Sequence, residues 1–131
     1  MCLWEVLGIS VCRKGDYLDG KPTFINFWFT RCPPCIEELP LLNKLKAKYG
    51  DKVNFISITF DDKKKVDDFL KKHKFDYMHI TDSEKQIDAL NISGFPTNMI
   101  LDKDGVIRTL NGAVNEFQIK QIETVLDVLS L

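Results

Sequence analysis

From Pro22 to Phe29 the chain reads Pro-Thr-Phe-Ile-Asn-Phe-Trp-Phe, apolar on both alternating faces. A strand of that pattern is buried on both sides, so it predicts the centre of a sheet with helices above and below. After Thr30-Arg31-Cys32-Pro33-Pro34-Cys35, the residues Ile36, Leu39, Leu42 and Leu45 recur at helical spacing to Lys46, and Tyr49-Gly50 supplies the stop. Val53 to Phe60 is a second β-rich run. Asp61-Asp62 caps an amphipathic helix with Val66, Phe69 and Leu70 inside and charge outside. A short strand, Tyr77 to Ile80, leads through Asp82 or Ser83 as cap to a helix ending at Leu90. Thr97 to Leu101 is a strand, Asp102-Lys103-Asp104-Gly105 a hairpin turn, and Val106 to Leu110 the antiparallel return. Asn115 and Gln118 have the spacing of a capping box, before a helix carrying Phe117, Ile122, Val125, Leu126 and Leu129 on one face. The order βαβα(β)αββα predicts an α/β sandwich with a hairpin edge.

Composition narrows the class. The 131 residues suit one domain, and 44% hydrophobic side chains supply a core that needs no metal or disulfide staple. Eighteen basic against nineteen acidic residues leave a net charge of −1, which gives no footprint for nucleic acid. The apolar runs fall far short of the ~20 residues that span a bilayer. Met1 to Cys12 makes a poor signal peptide, with Glu5 inside it and no basic start, and is read as a mature or trimmed N-terminus. Residues 1–19 are expected to form an N-terminal extension or a first edge segment, and residues 20–131 the domain.

Of the four cysteines, Cys2 and Cys12 stand apart, while Cys32-Pro33-Pro34-Cys35 joins a buried strand to a helix. The first N–H groups of a helix lack partners and carry partial positive charge, so a sulfur there is stabilised as thiolate, the nucleophile of disulfide exchange. Proline costs a helix nothing in its first turn. Cys32 is therefore expected to be the exposed attacking sulfur and Cys35 the buried resolving one, with Arg31 favouring the thiolate. Half of a zinc site is the rival reading, with Cys2 and Cys12 as further ligands, but no second Cys-x-x-Cys or His pair stands at ligand spacing. His73 lies on a solvated helix face, His79 reads as structural or solvent-facing, and Trp28 and Phe29 read as core and site wall.

The segment Thr23-Phe-Ile-Asn-Phe-Trp-Phe-Thr-Arg-Cys-Pro-Pro-Cys-Ile-Glu-Glu-Leu-Pro40, followed later by Gly94-Phe95-Pro96-Thr97, resembles the thioredoxin superfamily, and most closely its TlpA/ResA-like branch. The resemblance runs from about Gly20 to Leu131. It implies a thioredoxin-like three-layer sandwich with a central mixed β-sheet flanked by helices. It also implies a cis bond before Pro96, facing the cysteines, and a backbone at Phe95 that pairs with incoming polypeptide as a short added strand. Trp28, Arg31, Phe95 and Pro96 are thus candidate substrate-binding residues. Pro40 matches the family's kink. Asn26 and Arg31 depart from thioredoxins proper, which carry an Asp and a Trp at those positions. Glu38 matches an acidic position of the TlpA/ResA-like branch and joins Cys32 and Cys35 as a candidate catalytic residue, although an acid there also complements the helix dipole.

The activity so implied is thiol-disulfide exchange on protein disulfides or dithiols, with no cofactor and no metal. The implied setting is the cell envelope, facing the periplasm, with a membrane redox partner as electron donor and the protein a monomer. A cytoplasmic location is the alternative. Two other functions compete: a thiol peroxidase, and a metal-binding or metallochaperone module built on Cys32 and Cys35. Peroxidases of related fold place a Thr three residues before the cysteine, whereas Thr30 is two before. The related metal carriers hold three residues between the cysteines, where this chain holds two.

Overall fold

β1 (Thr23–Phe27) is buried along its whole length, as its two-sided apolar pattern requires. In this computed structural model, which describes residues 20–131, it is the middle strand of a five-stranded sheet ordered β3-β2-β1-β4-β5. The expected 1–19 extension, with Cys2, Trp4 and Cys12, lies outside the described residues. β2 (Asn54–Ile58) runs parallel to β1 and β3 (Met78–Ile80) parallel to β2. β4 (Thr97–Leu101) runs antiparallel to β1, and β5 (Ile107–Asn111) antiparallel to β4.

The two faces of β1 feed two cores. Phe24 and Trp28 join a cluster with Leu42, Leu45, Phe55 and Leu126, while Ile25 and Phe27 join Ile56, Ile58, Met99 and Leu101 on the other side. Each such aliphatic side chain contributes about 1.5–3 kcal/mol on burial. Asn26 lies on the first face, between Phe24 and Trp28. Its register partners are Ser57 on β2 and Asn98 on β4, so polar side chains cross an otherwise apolar sheet at one level.

The ladder of β1 ends at Phe27, two residues short of the expected strand. The Trp28 N–H still reaches the Ile58 carbonyl at 3.1 Å, and Phe29 is apolar because its ring packs on other rings. The helix expected after Cys35 is two helices. α1 spans Pro33–Glu37 and α2 spans Leu39–Tyr49, with Glu38 at the joint (φ −85, ψ −7). Pro40, in the first turn of α2, has no N–H to continue the ladder, and the break falls where the resemblance placed a kink.

α3 (Lys63–Leu70) is capped by Asp62, whose carboxylate accepts the Lys65 N–H at 2.8 Å, and its outer face is laced by Lys63–Asp67 and Lys64–Asp68 pairs. α4 (Glu84–Ala89) begins after Ser83. In the hairpin, Asp102 accepts the N–H groups of Asp104 and Val106, and Gly105 takes the left-handed conformation (φ +81). β5 lies one residue later than the sequence suggests, and its register against β4 shifts between Ile100 and Leu101. α5 (Glu116–Leu129) carries the full capping box of Asn115 and Gln118. Its inward face is Ile119, Ile122 and Leu126. Phe117, expected on that face, is out of step with this spacing and is exposed.

Candidate active site

Cys32 holds the N-cap of α1 in an extended conformation (φ −103, ψ 100), and its Sγ accepts the Cys35 N–H at 3.3 Å. Pro33 and Pro34 fill the first turn, where no donor is missed. The helix begins at Pro33. Cys32 and Cys35 are joined as a disulfide with Cα atoms 5.2 Å apart. The bond corrects one expectation: Cys32 is not exposed. It is 2% accessible and Cys35 1%, and both belong to the buried cluster that contains Trp28 and Leu39. Arg31, Pro33 and Pro34 carry the exposure of the turn instead. Arg31 forms no ion pair among the described residues.

The turn before Cys32 is anchored from the segment that follows β2. The Thr30 N–H donates to Asp61 Oδ2 at 2.7 Å, and the Asp82 N–H to the Asp61 carbonyl at 2.8 Å. Asp61 is therefore buried structure beside the site, while Asp62 alone caps α3. Trp28 is 1% accessible and packs on Phe69 and Phe75 at ring distances of 5.0 and 5.2 Å, so it forms the inner wall of the site with no surface for direct substrate contact. His79 is structural, bonding the Phe75 carbonyl through Nε2 at 2.9 Å and Ser57 through Nδ1.

The Phe95–Pro96 peptide is cis. Phe95 packs against the cluster that contains both cysteines, and its ring meets Phe29 and Phe60 edge-on, each at 5.6 Å. Phe29 in turn stacks on Phe60 at 5.3 Å. Since the Cys32 N–H bonds the Phe29 carbonyl, this three-ring cluster links the cysteine turn to the cis peptide. Phe60 is 40% accessible and gives the cluster an apolar outer face.

Glu38 is 3% accessible and forms no ion pair among the described residues. Oε1 accepts from Asn26 Nδ2 at 2.9 Å and Asn98 Nδ2 at 3.3 Å; Oε2 accepts from the Val114 N–H at 3.0 Å and Asn98 Nδ2 at 3.4 Å. Burial pushes the carboxyl above the ordinary value of 4.5, and the Val114, Asn98 and Asn26 donors pull against it. Desolvation wins because every donor is neutral. The helix-dipole alternative, in which the side chain rests in solvent, does not fit this burial.

Three participants escape sequence reasoning. Asn98 and the Val114 N–H lie 60 and 76 residues from Glu38, and nothing local marks them. The alternation of β4, with Asn98 between buried Pro96 and Ile100, was the one available signal for a polar residue aimed inward. Asp61 resembled a helix cap, one position before the true one.

The Redoxin family pattern matches residues 11–126. The chain is 33% identical over 114 residues to the thioredoxin-like protein YneN of Bacillus subtilis, covering 83% of this chain and 65% of that protein. It is 36% identical over 93 residues to the thiol-disulfide oxidoreductase ResA of Bacillus cereus, covering 69% and 54%. The chain thus spans about half to two thirds of the length of these curated relatives. Among solved structures, a thiol:disulfide interchange protein of the thioredoxin family from Chlorobium tepidum superposes with a TM-score of 0.72 at 22% identity, covering 87% of this chain and 83% of that one. The shared fold is the thioredoxin-like sandwich expected from the resemblance. Among the described residues, no group of three or more His, Cys, Asp or Glu side chains is placed to hold a metal ion, and no helix is long and apolar enough to cross a membrane.

Proposed function

The chain belongs to the Redoxin family, and on that premise we propose that it is a thiol-disulfide oxidoreductase acting on protein disulfides and dithiols through Cys32 and Cys35. One observation carries the reading: Cys32 caps α1 with its sulfur facing the Cys35 N–H, and Cys35 lies within bonding reach. In the reduced protein the same N–H and the helix start favour the Cys32 thiolate.

The exchange balances within sulfur. The Cys32 thiolate attacks one sulfur of a substrate disulfide, and the other sulfur leaves as a thiolate and takes a proton. Cys35 then gives its proton to Glu38 and attacks Cys32 Sγ, which expels the second substrate thiol. The substrate gains two electrons and the Cys32–Cys35 pair loses them. No metal or cofactor enters. A carboxyl raised by burial suits proton transfer near neutral pH better than an ordinary one. Polypeptide pairs with the backbone at Phe95 beside cis-Pro96, Phe29 and Phe60 offer it apolar contact, Trp28 supports the site from within, and Arg31 favours the thiolate. The resemblance to the TlpA/ResA-like branch supports a cell-envelope setting, electrons from a membrane redox partner, and action as a monomer.

Trapping tests this. Reduced Cys35→Ser protein mixed with a disulfide-bonded polypeptide should accumulate a mixed disulfide on Cys32, seen by mass as a one-to-one adduct that dithiothreitol removes. Cys32→Ser should accumulate none. Equal adducts on both variants would remove Cys32 as the attacking sulfur.

A further inference from the structure

Asn26 and Asn98 face each other across the β1–β4 ladder, and their amides are spent on one another and on Glu38. Asn26 Nδ2 donates one hydrogen to Asn98 Oδ1 at 2.7 Å and the other to Glu38 Oε1 at 2.9 Å. With Oδ1 so engaged, the amide of Asn98 has one orientation, and its Nδ2 points at Gly112 O (3.0 Å) and at both carboxylate oxygens of Glu38. All four amide hydrogens of the pair are accounted for. The flipped amide would set Asn98 Oδ1 against the carboxylate and leave the Asn26 donor without its acceptor.

We propose that Asn98 is a positioning residue of the exchange: locked by Asn26, it presents its amide hydrogens to Glu38 and holds that side chain as an ionised carboxylate beside the cysteine helix. The inference rests on the reading of Glu38 as the base for Cys35. It adds what keeps that base in place and in its basic form, since a buried carboxylate without a cation is sustained only by oriented neutral donors. The groups that face Glu38 from the surrounding elements are few. Among the described residues, Asn26 on β1, Asn98 on β4 and the Val114 N–H on the segment before α5 are hydrogen-bonded to it. The Tyr77 phenol, which donates to the Leu42 carbonyl at 2.9 Å, is held protonated by its own burial and by the charge of Glu38. Among the described residues, no lysine or arginine is a hydrogen-bond partner of the carboxylate.

Titration of Glu38 by carbon-13 carboxyl NMR tests the proposal in the oxidised protein, where no cysteine titrates at this site. Asn98→Ala should raise the Glu38 midpoint by about one pH unit, a tenfold gain in proton affinity, from loss of hydrogen bonds to a charged group. Asn98→Asp keeps the size and shape but offers no amide hydrogens, and a like charge should raise the midpoint further. Asn98→Leu is close in size and has neither amide hydrogens nor charge, and a residue that served only to fill space would leave this variant at the wild-type midpoint. That result, or a midpoint unmoved in the Ala variant, overturns the proposal. Thermal melts accompany each variant, and Asn98→Ser replaces Ala for the same readout should Ala fail to fold. A second arm follows the pH dependence of mixed-disulfide resolution. It should move in the same direction in Asn98→Ala and not move when Glu38 is already Gln. A shifted titration with an unshifted rate profile leaves the clamp standing and removes Glu38 as base, so the two readings fail separately.

Discussion

Replacing Glu38 by Gln should alter stability in a manner that depends on pH, and the sign follows from the site. Below the ordinary value of 4.5 the carboxyl is neutral in the folded and unfolded chains alike. As pH rises, the unfolded chain releases its proton first, because burial raises the folded carboxyl. Between the two midpoints the folded state binds more protons than the unfolded one. Wild-type stability therefore falls by about 1.4 kcal/mol for each pH unit of that window, and levels off above the folded midpoint. Gln has no such term. Its own cost is constant with pH: one of the two oxygens becomes an amide nitrogen, set against either the Val114 N–H or the amides of Asn26 and Asn98, for about 1–3 kcal/mol. The wild type should thus exceed Gln most clearly below the ordinary value of 4.5 and lose that advantage as pH rises through the folded midpoint. Urea unfolding of both oxidised proteins at several pH values measures the difference. A difference that stays flat, or that grows in favour of the wild type with rising pH, would show that the donors outweigh burial and that the carboxyl is not raised.

Three further outcomes are expected. In the reduced protein Cys32 should alkylate at a pH well below that of a free cysteine while Cys35 stays protected, as mass-mapped labelling across pH will read; equal rates at both would remove the helix-cap argument. Trp28→Ala should cost about 3–5 kcal/mol in urea unfolding, since the ring fills the space between Phe69 and Phe75 and the cysteine helix. A loss under about 1 kcal/mol would mean that the site wall collapses to fill the gap. Cys2→Ser with Cys12→Ser should leave disulfide reduction nearly intact in a turnover assay, and a large loss would return these cysteines to the site.

The legible features were those with a short-range signature. The two-sided apolar run marked β1, the Asp-Gly turn marked the hairpin, and Asn115 with Gln118 marked the start of α5 in full detail. The cysteine pair was legible because helix-end chemistry and proline placement act within four residues. What stayed hidden depends on pairing across the sheet. The register that sets Asn26 opposite Asn98 decides what Glu38 touches, and register is a property of two distant segments. Cys32 was misjudged because exposure is set by what packs around a turn, here the cluster of Trp28 and Leu39, which lies outside the motif. Phe117 misled because apolar character was read in place of phase: Ile119, Ile122 and Leu126 set the buried stripe of α5, and Phe117 falls outside it.

The span of the Glu38 contacts also fixes an order of events in biosynthesis. Residues 32 and 35 leave the ribosome long before residues 98 and 114, and β4 cannot pair with β1 until some seventy residues later have been made. A nascent chain therefore displays both thiols while the carboxylate beside them still has none of its distant donors, and closing so long a loop is among the slower steps of such a topology. The full set of Glu38 donors exists only once Val114, just before α5, has been made. A chain cut short before Asn98 retains every atom of the cysteine motif and lacks the surroundings in which Glu38 is held.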